Sequence, residues 1–181
     1  MIDILFGKSV TCAANHHPTS KESSMLLKVK VLADHPEFLQ LLASWLHDEW
    51  GKNDPKRSVE HAKTYLERHM NRDKPPLTLI GFLSGEPIAT ASLKIQELST
   101  HPQYLYWLGN IYVKPEFRGQ GIGSCIIEYA AKEALRLNVQ NLYLYTSSQE
   151  HLYHQLGWIP IERMAYRSRE IVIMKRVLET V

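Results

Sequence analysis

The chain is short of the features that mark several common protein classes. It has two cysteines, Cys12 and Cys125, far apart in its 181 residues. That is too few for a disulfide-stapled scaffold, and the expectation is a pair of reduced thiols in a cytoplasmic protein. It has no charge of one sign to spare: 21 Lys and Arg stand against 19 Asp and Glu, interleaved, for a net +2. The basic stripe of a nucleic-acid partner is therefore absent. No apolar run approaches the ~18 residues of a membrane helix, so no membrane partner is expected. Histidine is plentiful at nine, but His151 and His154 lack a third ligand at supporting spacing, and no metal is expected. What remains is an ordinary globular composition, long enough for one proper core.

The informative stretch runs from Trp107 to Gly123. It opens as a β-prone run through Leu108, Ile111, Tyr112 and Val113 and stops at Pro115, which cannot donate to a sheet ladder. A loop follows, Arg118-Gly119-Gln120-Gly121-Ile122-Gly123. Ile122, Ile126, Tyr129, Ala130, Ala134 and Leu137 then recur at helical spacing. Strand, glycine loop and helix bring bare backbone N–H groups and a positive helix N-terminus up to a phosphate. Glycine suits such a loop because a Cβ would hold the anion off and because the turn often needs φ > 0. The dinucleotide pattern G-x-G-x-x-G fails on spacing, and the P-loop fails because Ser124 and Cys125 follow Gly123.

Residues 1–24 are mildly apolar and then polar and turn-rich, and read as a loosely ordered extension without chemistry, with one domain over 25–181. Leu26 to Leu32 reads as a strand. Asp34-His-Pro-Glu37 reads as a capping box opening a helix that fades near Gly51. A second helix starts at Ser58 and ends before Pro75-Pro76. Two strands over 77–83 and 88–95 form a hairpin across Ser84-Gly-Glu-Pro87. A polar link, 97–103, leads into the strand 104–113. After the long helix come a strand over 141–146, a short helix closed by Gly157, and two last strands at 158–161 and 171–178 joined by a charged connection. The order β-α-α-β-β-β-α-β-α-β-β is an α/β fold, with a mixed central sheet, flanking helices and a parallel pair astride the long helix.

Arg118-x-x-Gly121-x-Gly123, preceded by Val113-Lys-Pro-Glu-Phe-Arg118, resembles the pyrophosphate-binding signature of the GNAT superfamily of acyl-CoA-dependent N-acetyltransferases. The element order resembles that family from about residue 26 to 178. The resemblance implies acetyl-CoA as co-substrate, its pyrophosphate on Arg118, Gly119, Gln120, Gly121, Ile122 and Gly123, and its acetyl arm along Ile111, Tyr112 and Val113. It implies an acceptor pocket built by the two helices after the first strand, where Trp45, Trp50 and Tyr65 are candidates for contact. It also implies a catalytic acid at Tyr153, in the phrase Leu152-Tyr153-His-Gln-Leu-Gly157-Trp158.

Acetyl transfer to an amine needs a proton acceptor, donors for an oxyanion and an acid for the leaving thiolate. The chain departs from the family in two places. No carboxylate lies in 104–113, where many members carry a Glu, so Glu97 is the candidate base and His101 its neighbour. Thr146-Ser-Ser-Gln149 replaces an N-x-x-A phrase, leaving Ser148 as a candidate cofactor contact or a helix cap. The expected activity is acetyl transfer to a primary amine of a small molecule or peptide, by a monomer or homodimer. The alternative is a module that holds acyl-CoA without turnover.

Overall fold

The computed structural model describes residues 27–52, 54 and 57–179, so the expectations for 1–24 lie outside the described residues. The elements are β1 (Lys28–Val31), α1 (Leu39–Trp50), α2 (Val59–Glu67), β2 (Leu77–Leu83), β3 (Glu86–Ile95), β4 (Tyr106–Val113), α3 (Ile122–Arg136), β5 (Asn141–Thr146), α4 (Glu150–Gln155), β6 (Ile159–Tyr166) and β7 (Arg169–Val177). Their order is the one expected from sequence. The strands form one mixed sheet in the order β1-β2-β3-β4-β5-β7-β6. β4 and β5 are parallel, as their α3 crossover requires, and the other neighbours are antiparallel.

Alternation along the strands sends side chains to two faces. On one face Leu79, Ala89, Ala91, Leu93 and Leu108 meet Ile122, Ile126, Ile127, Ala130 and Ala134 of α3 in a single core. On the other, Ile80 and Phe82 meet Leu42, Trp45 and Leu46 of α1 and Leu66 of α2. A third cluster gathers Trp107, Ile171 and Ile173 with Tyr104, Tyr143 and Tyr145. Trp45 is thus a core residue, stacked on Tyr112 with centroids 5.1 Å apart, while Trp50 is exposed.

Four local readings change. The capping box does not form: Asp34 closes a 3-10 turn and pairs with Arg72, and α1 starts at Leu39 behind Phe38 without a side-chain cap. α2 ends at Glu67 rather than near residue 74, because Asn71 Nδ2 donates to Pro76 O at 2.7 Å and Pro75-Pro76 disfavours helix before it. β6 runs on through the charged Glu162 and Arg163 to Tyr166, because an edge strand pairs on one side and buries little. Among the described residues no cysteine is free: Cys125, on the inward side of α3, is disulfide-bonded. That overturns its reading as a reduced thiol and removes the argument for a reducing compartment. No described helix is long and apolar enough to cross a membrane.

Ile126 is fully buried between α3 and the sheet. Ile126→Ala is expected to lower unfolding free energy by about 2–5 kcal/mol, read from urea denaturation. A loss under about 1 kcal/mol would show that α3 is not anchored through this side chain.

Candidate active site

The glycine loop follows β4 through a 3-10 turn at Pro115–Phe117. Gly119 and Gly121 adopt φ of +75° and +79°, which disfavours any residue with a Cβ. Nothing lies within 4 Å of where a Cβ would stand at either position. Both positions therefore face open space. Gly121 is the N-cap of α3, whose N-terminus has no side-chain cap. Positive backbone potential is thus exposed at the N-terminus of α3.

Two side chains of the loop turn back onto the protein. Arg118 donates through Nε to Val113 O at 2.9 Å and through Nη2 to Glu49 Oε2 at 2.9 Å, with its guanidinium 5.5 Å from the Tyr112 ring. Gln120 Nε2 donates to Glu116 O at 3.1 Å. Arg118 in this state is a strut between the loop and the end of α1.

Beside the loop, β4 parts from β5. The two strands register at one pair, Trp107↔Tyr143. On its other edge β4 carries a bulge: Ser92 pairs with Gly109 and Thr90 with Tyr112, so Asn110 and Ile111 together oppose Ala91. Asn110 takes φ +51°, a region that Asn tolerates better than most residues. Its Nδ2 donates to Ser92 Oγ at 3.0 Å and to Tyr65 Oη at 3.2 Å. Ser92 Oγ in turn lies 2.8 Å from Thr78 Oγ1.

Tyr153 lies on α4, in the same core cluster that Ile111 and Val113 border. It is 9% exposed, and its ring meets Trp158 edge-on with centroids 6.1 Å apart. Burial pushes its phenol up to about 12. Ahead of α4, Thr146 Oγ1 accepts from the amides of Gln149 at 2.9 Å and Ser148 at 3.3 Å. These bonds close a turn ahead of α4, whose N-cap is Gln149 without a side-chain cap, so neither serine caps the helix, and Ser148 is exposed.

Glu97 Oε2 meets Lys94 Nζ at 2.5 Å. The Lys94 ammonium sits 5.5 Å from the Tyr65 ring, and its stem crosses Gly109, where a Cβ would stand 2.9 Å from Lys94 Cδ. Burial works against the Lys94 charge, but Tyr65 and Glu97 outweigh it and raise its pKa. His101 is engaged elsewhere, with Glu162 at 3.1 Å and stacked on Tyr104. A hollow of about 390 Å³ lies on the outer side of α2, lined by Ser58, Glu60, His61, Thr64, Tyr65 and Arg68. It is apart from the glycine loop.

A model of the acetyltransferase (GNAT) family matches residues 39–158. The chain belongs to the GNAT family. Many solved structures share the fold. An acetyltransferase of the GNAT family from Streptococcus pneumoniae is 17% identical with a TM-score of 0.64, covering 84% of this chain and 99% of its own. An aminoglycoside 6'-N-acetyltransferase complexed with coenzyme A is 15% identical with a TM-score of 0.63, covering 84% and 98%. A protein from Salmonella typhimurium with its cofactor acetyl-CoA is 19% identical with a TM-score of 0.63, covering 88% and 96%. At these identities the likeness is one of fold. No curated protein matches the chain by sequence.

On this GNAT scaffold Tyr153 shares a core cluster with Ile111 and Val113, and Gly123 stands beside Val113. Glu97 pairs with Lys94, whose ammonium lies over the Tyr65 ring. Lys94, Ser92 and Thr78 escaped the sequence reading. Thr78, Thr90, Ser92 and Lys94 are all buried, which their polar residue types in β2 and β3 do not announce. Among the described residues no three His, Cys, Asp or Glu come together as metal ligands.

His69 is buried, its Nδ1–H donating to Tyr65 O at 2.9 Å, and burial holds its pKa below the usual 6.5. The unfolded chain then takes a proton below about pH 6.5 that the folded state resists, so stability falls as pH drops through that value. Melting temperature is expected to decline from pH 7.5 to 5.5, and His69→Gln to flatten the decline. Equal slopes in the two proteins would contradict the assignment.

Proposed function

We propose that this GNAT-family enzyme moves an acetyl group from acetyl-CoA to a primary amine. The observation that carries the reading is the parting of β4 from β5 beside a glycine loop with open space at Gly119 and Gly121. A pyrophosphate fits that loop because both αL glycines leave room where a Cβ would intrude. The relatives with coenzyme A and acetyl-CoA support this choice of co-substrate. When bound, acetyl-CoA supplies an activated thioester.

The chain's own residues do the rest. Amides of Gly119 to Gly123 and the positive end of α3 hold the pyrophosphate, while the Arg118 amide is committed to Pro115 O at 3.2 Å. The β5-facing edge of the main chain at Asn110 to Val113 lines the acyl arm and offers N–H donors to an oxygen that gains negative charge. Ser148, exposed at the end of β5, borders the cofactor path.

Magnitudes decide how Tyr153 works. Its phenol at about 12 is a far weaker acid than a thiol near 8.5. Full transfer of its proton to a departing thiolate is therefore uphill, whereas a hydrogen bond to the sulfur is favourable. Tyr153 acts as that donor. Glu97, held by Lys94 Nζ at 2.5 Å, is the proton acceptor in this reading.

Release of free thiol from acetyl-CoA in the presence of a mixed amine panel tests the activity. Protein that binds acetyl-CoA yet releases none would contradict the reading. In Tyr153→Phe one charge-assisted hydrogen bond is lost, so kcat is expected to fall about 10- to 150-fold with acetyl-CoA affinity unchanged. Equal kcat in two equally folded proteins would remove Tyr153 from the mechanism.

A further inference from the structure

The bulge at Asn110 raises a physical problem. A non-glycine residue at φ +51° sits in a sparsely populated region, on a strand whose other edge has no ladder beyond Trp107. Nothing on the β5 side fixes the chain there. What fixes it comes from the other face of the sheet.

Both hydrogens of the Asn110 amide are committed, one to Ser92 Oγ at 3.0 Å and one to Tyr65 Oη at 3.2 Å. Neither acceptor is loose. Ser92 is fully buried, and its oxygen is 2.8 Å from that of Thr78, also fully buried. Tyr65 is held between the His69 ring, with centroids 4.3 Å apart, and the Lys94 ammonium. One bond therefore ties the bulge to the neighbouring strand, and the other ties it to α2, which is on the acceptor side.

We propose that Tyr65 and Ser92 clamp Asn110, making Tyr65 and Asn110 positioning residues that hold the β4 main chain in its donor geometry. The inference rests on the reading that this main chain receives the thioester oxygen. α2 then sets the geometry of the acyl site as well as shaping the acceptor pocket. A shift of α2 is transmitted to the bulge through a single phenol.

The test needs no acceptor amine. Acetyl-CoA labelled with 13C at the carbonyl is bound to the protein, and its carbonyl stretch is read by infrared difference spectroscopy. In the wild type a single narrow band, displaced below its position in water, is expected. Tyr65→Phe removes one oxygen from α2, and Asn110→Gly keeps the backbone freedom while removing the clamp. In both, the band is expected to broaden and move back toward its position in water. Affinity for CoA, which lacks the carbonyl, should stay within about twofold. Melting temperature should fall by only about 2–4 °C, the scale of one lost hydrogen bond in a domain of this size.

An unchanged band in folded Tyr65→Phe would overturn the clamp and leave the acyl-site reading standing. Tyr65→Phe carries this decision even where Asn110→Gly fails to fold. A tenfold loss of CoA affinity in Tyr65→Phe would also overturn the clamp, since it would mark general loosening. A wild-type band matching that in water would remove the acyl-site reading itself.

Discussion

The structure depends on a strand that leaves its parallel neighbour. A buried edge of unpaired N–H and C=O groups is costly, and sheets usually close it. Here β4 keeps a single registered pair with β5, Trp107↔Tyr143, and spends the rest of that edge on an opening. The crossover through α3 forces the two strands to be parallel neighbours, while the bulge at Asn110 redirects one of them. A sheet that parts in this way presents backbone donors at its centre, where packing on both faces holds them still.

The glycine loop shares the same logic. β4 delivers the chain to Pro115 and Arg118, and α3 carries it away with Ile122 and Ile126 packed on the sheet. Gly119 and Gly121 turn the chain between these two anchored elements in conformations with positive φ. Their amides are fixed by the packing of their neighbours, and Arg118 braces the loop against Glu49 and Val113. The opening and the loop are consecutive stretches of one segment, so the position of one sets that of the other.

How much of this was legible follows from the range of each interaction. The loop and α3 were, because glycine spacing and helical periodicity are local signals. The element order was, because each strand and helix carries its own pattern. The start of α1 was not: Asp34 reads as a cap, but its carboxylate faces Arg72, 38 residues away. The length of β6 was not either, since an exposed edge strand has no apolar alternation to reveal it. In the site, Tyr153 stood out through its surrounding phrase. The partners of Asn110 did not, because Tyr65 and Ser92 reach it across 45 and 18 residues. Ion pairing of Glu97 with Lys94 spans only three residues, but it depends on the course of the Lys94 stem across Gly109, which the sequence does not show.

The central claim is that one bound molecule spans the glycine loop and the parting of β4 from β5. Titration of 15N-labelled protein with acetyl-CoA, followed by amide chemical shifts, tests it most directly. The account predicts large, saturable shifts at Gly119, Gly121 and Gly123, at Ile111 to Val113, and at Tyr145 and Thr146, with β6 little affected. Shifts confined to the hollow beside α2, with the loop amides unmoved at saturation, would contradict it.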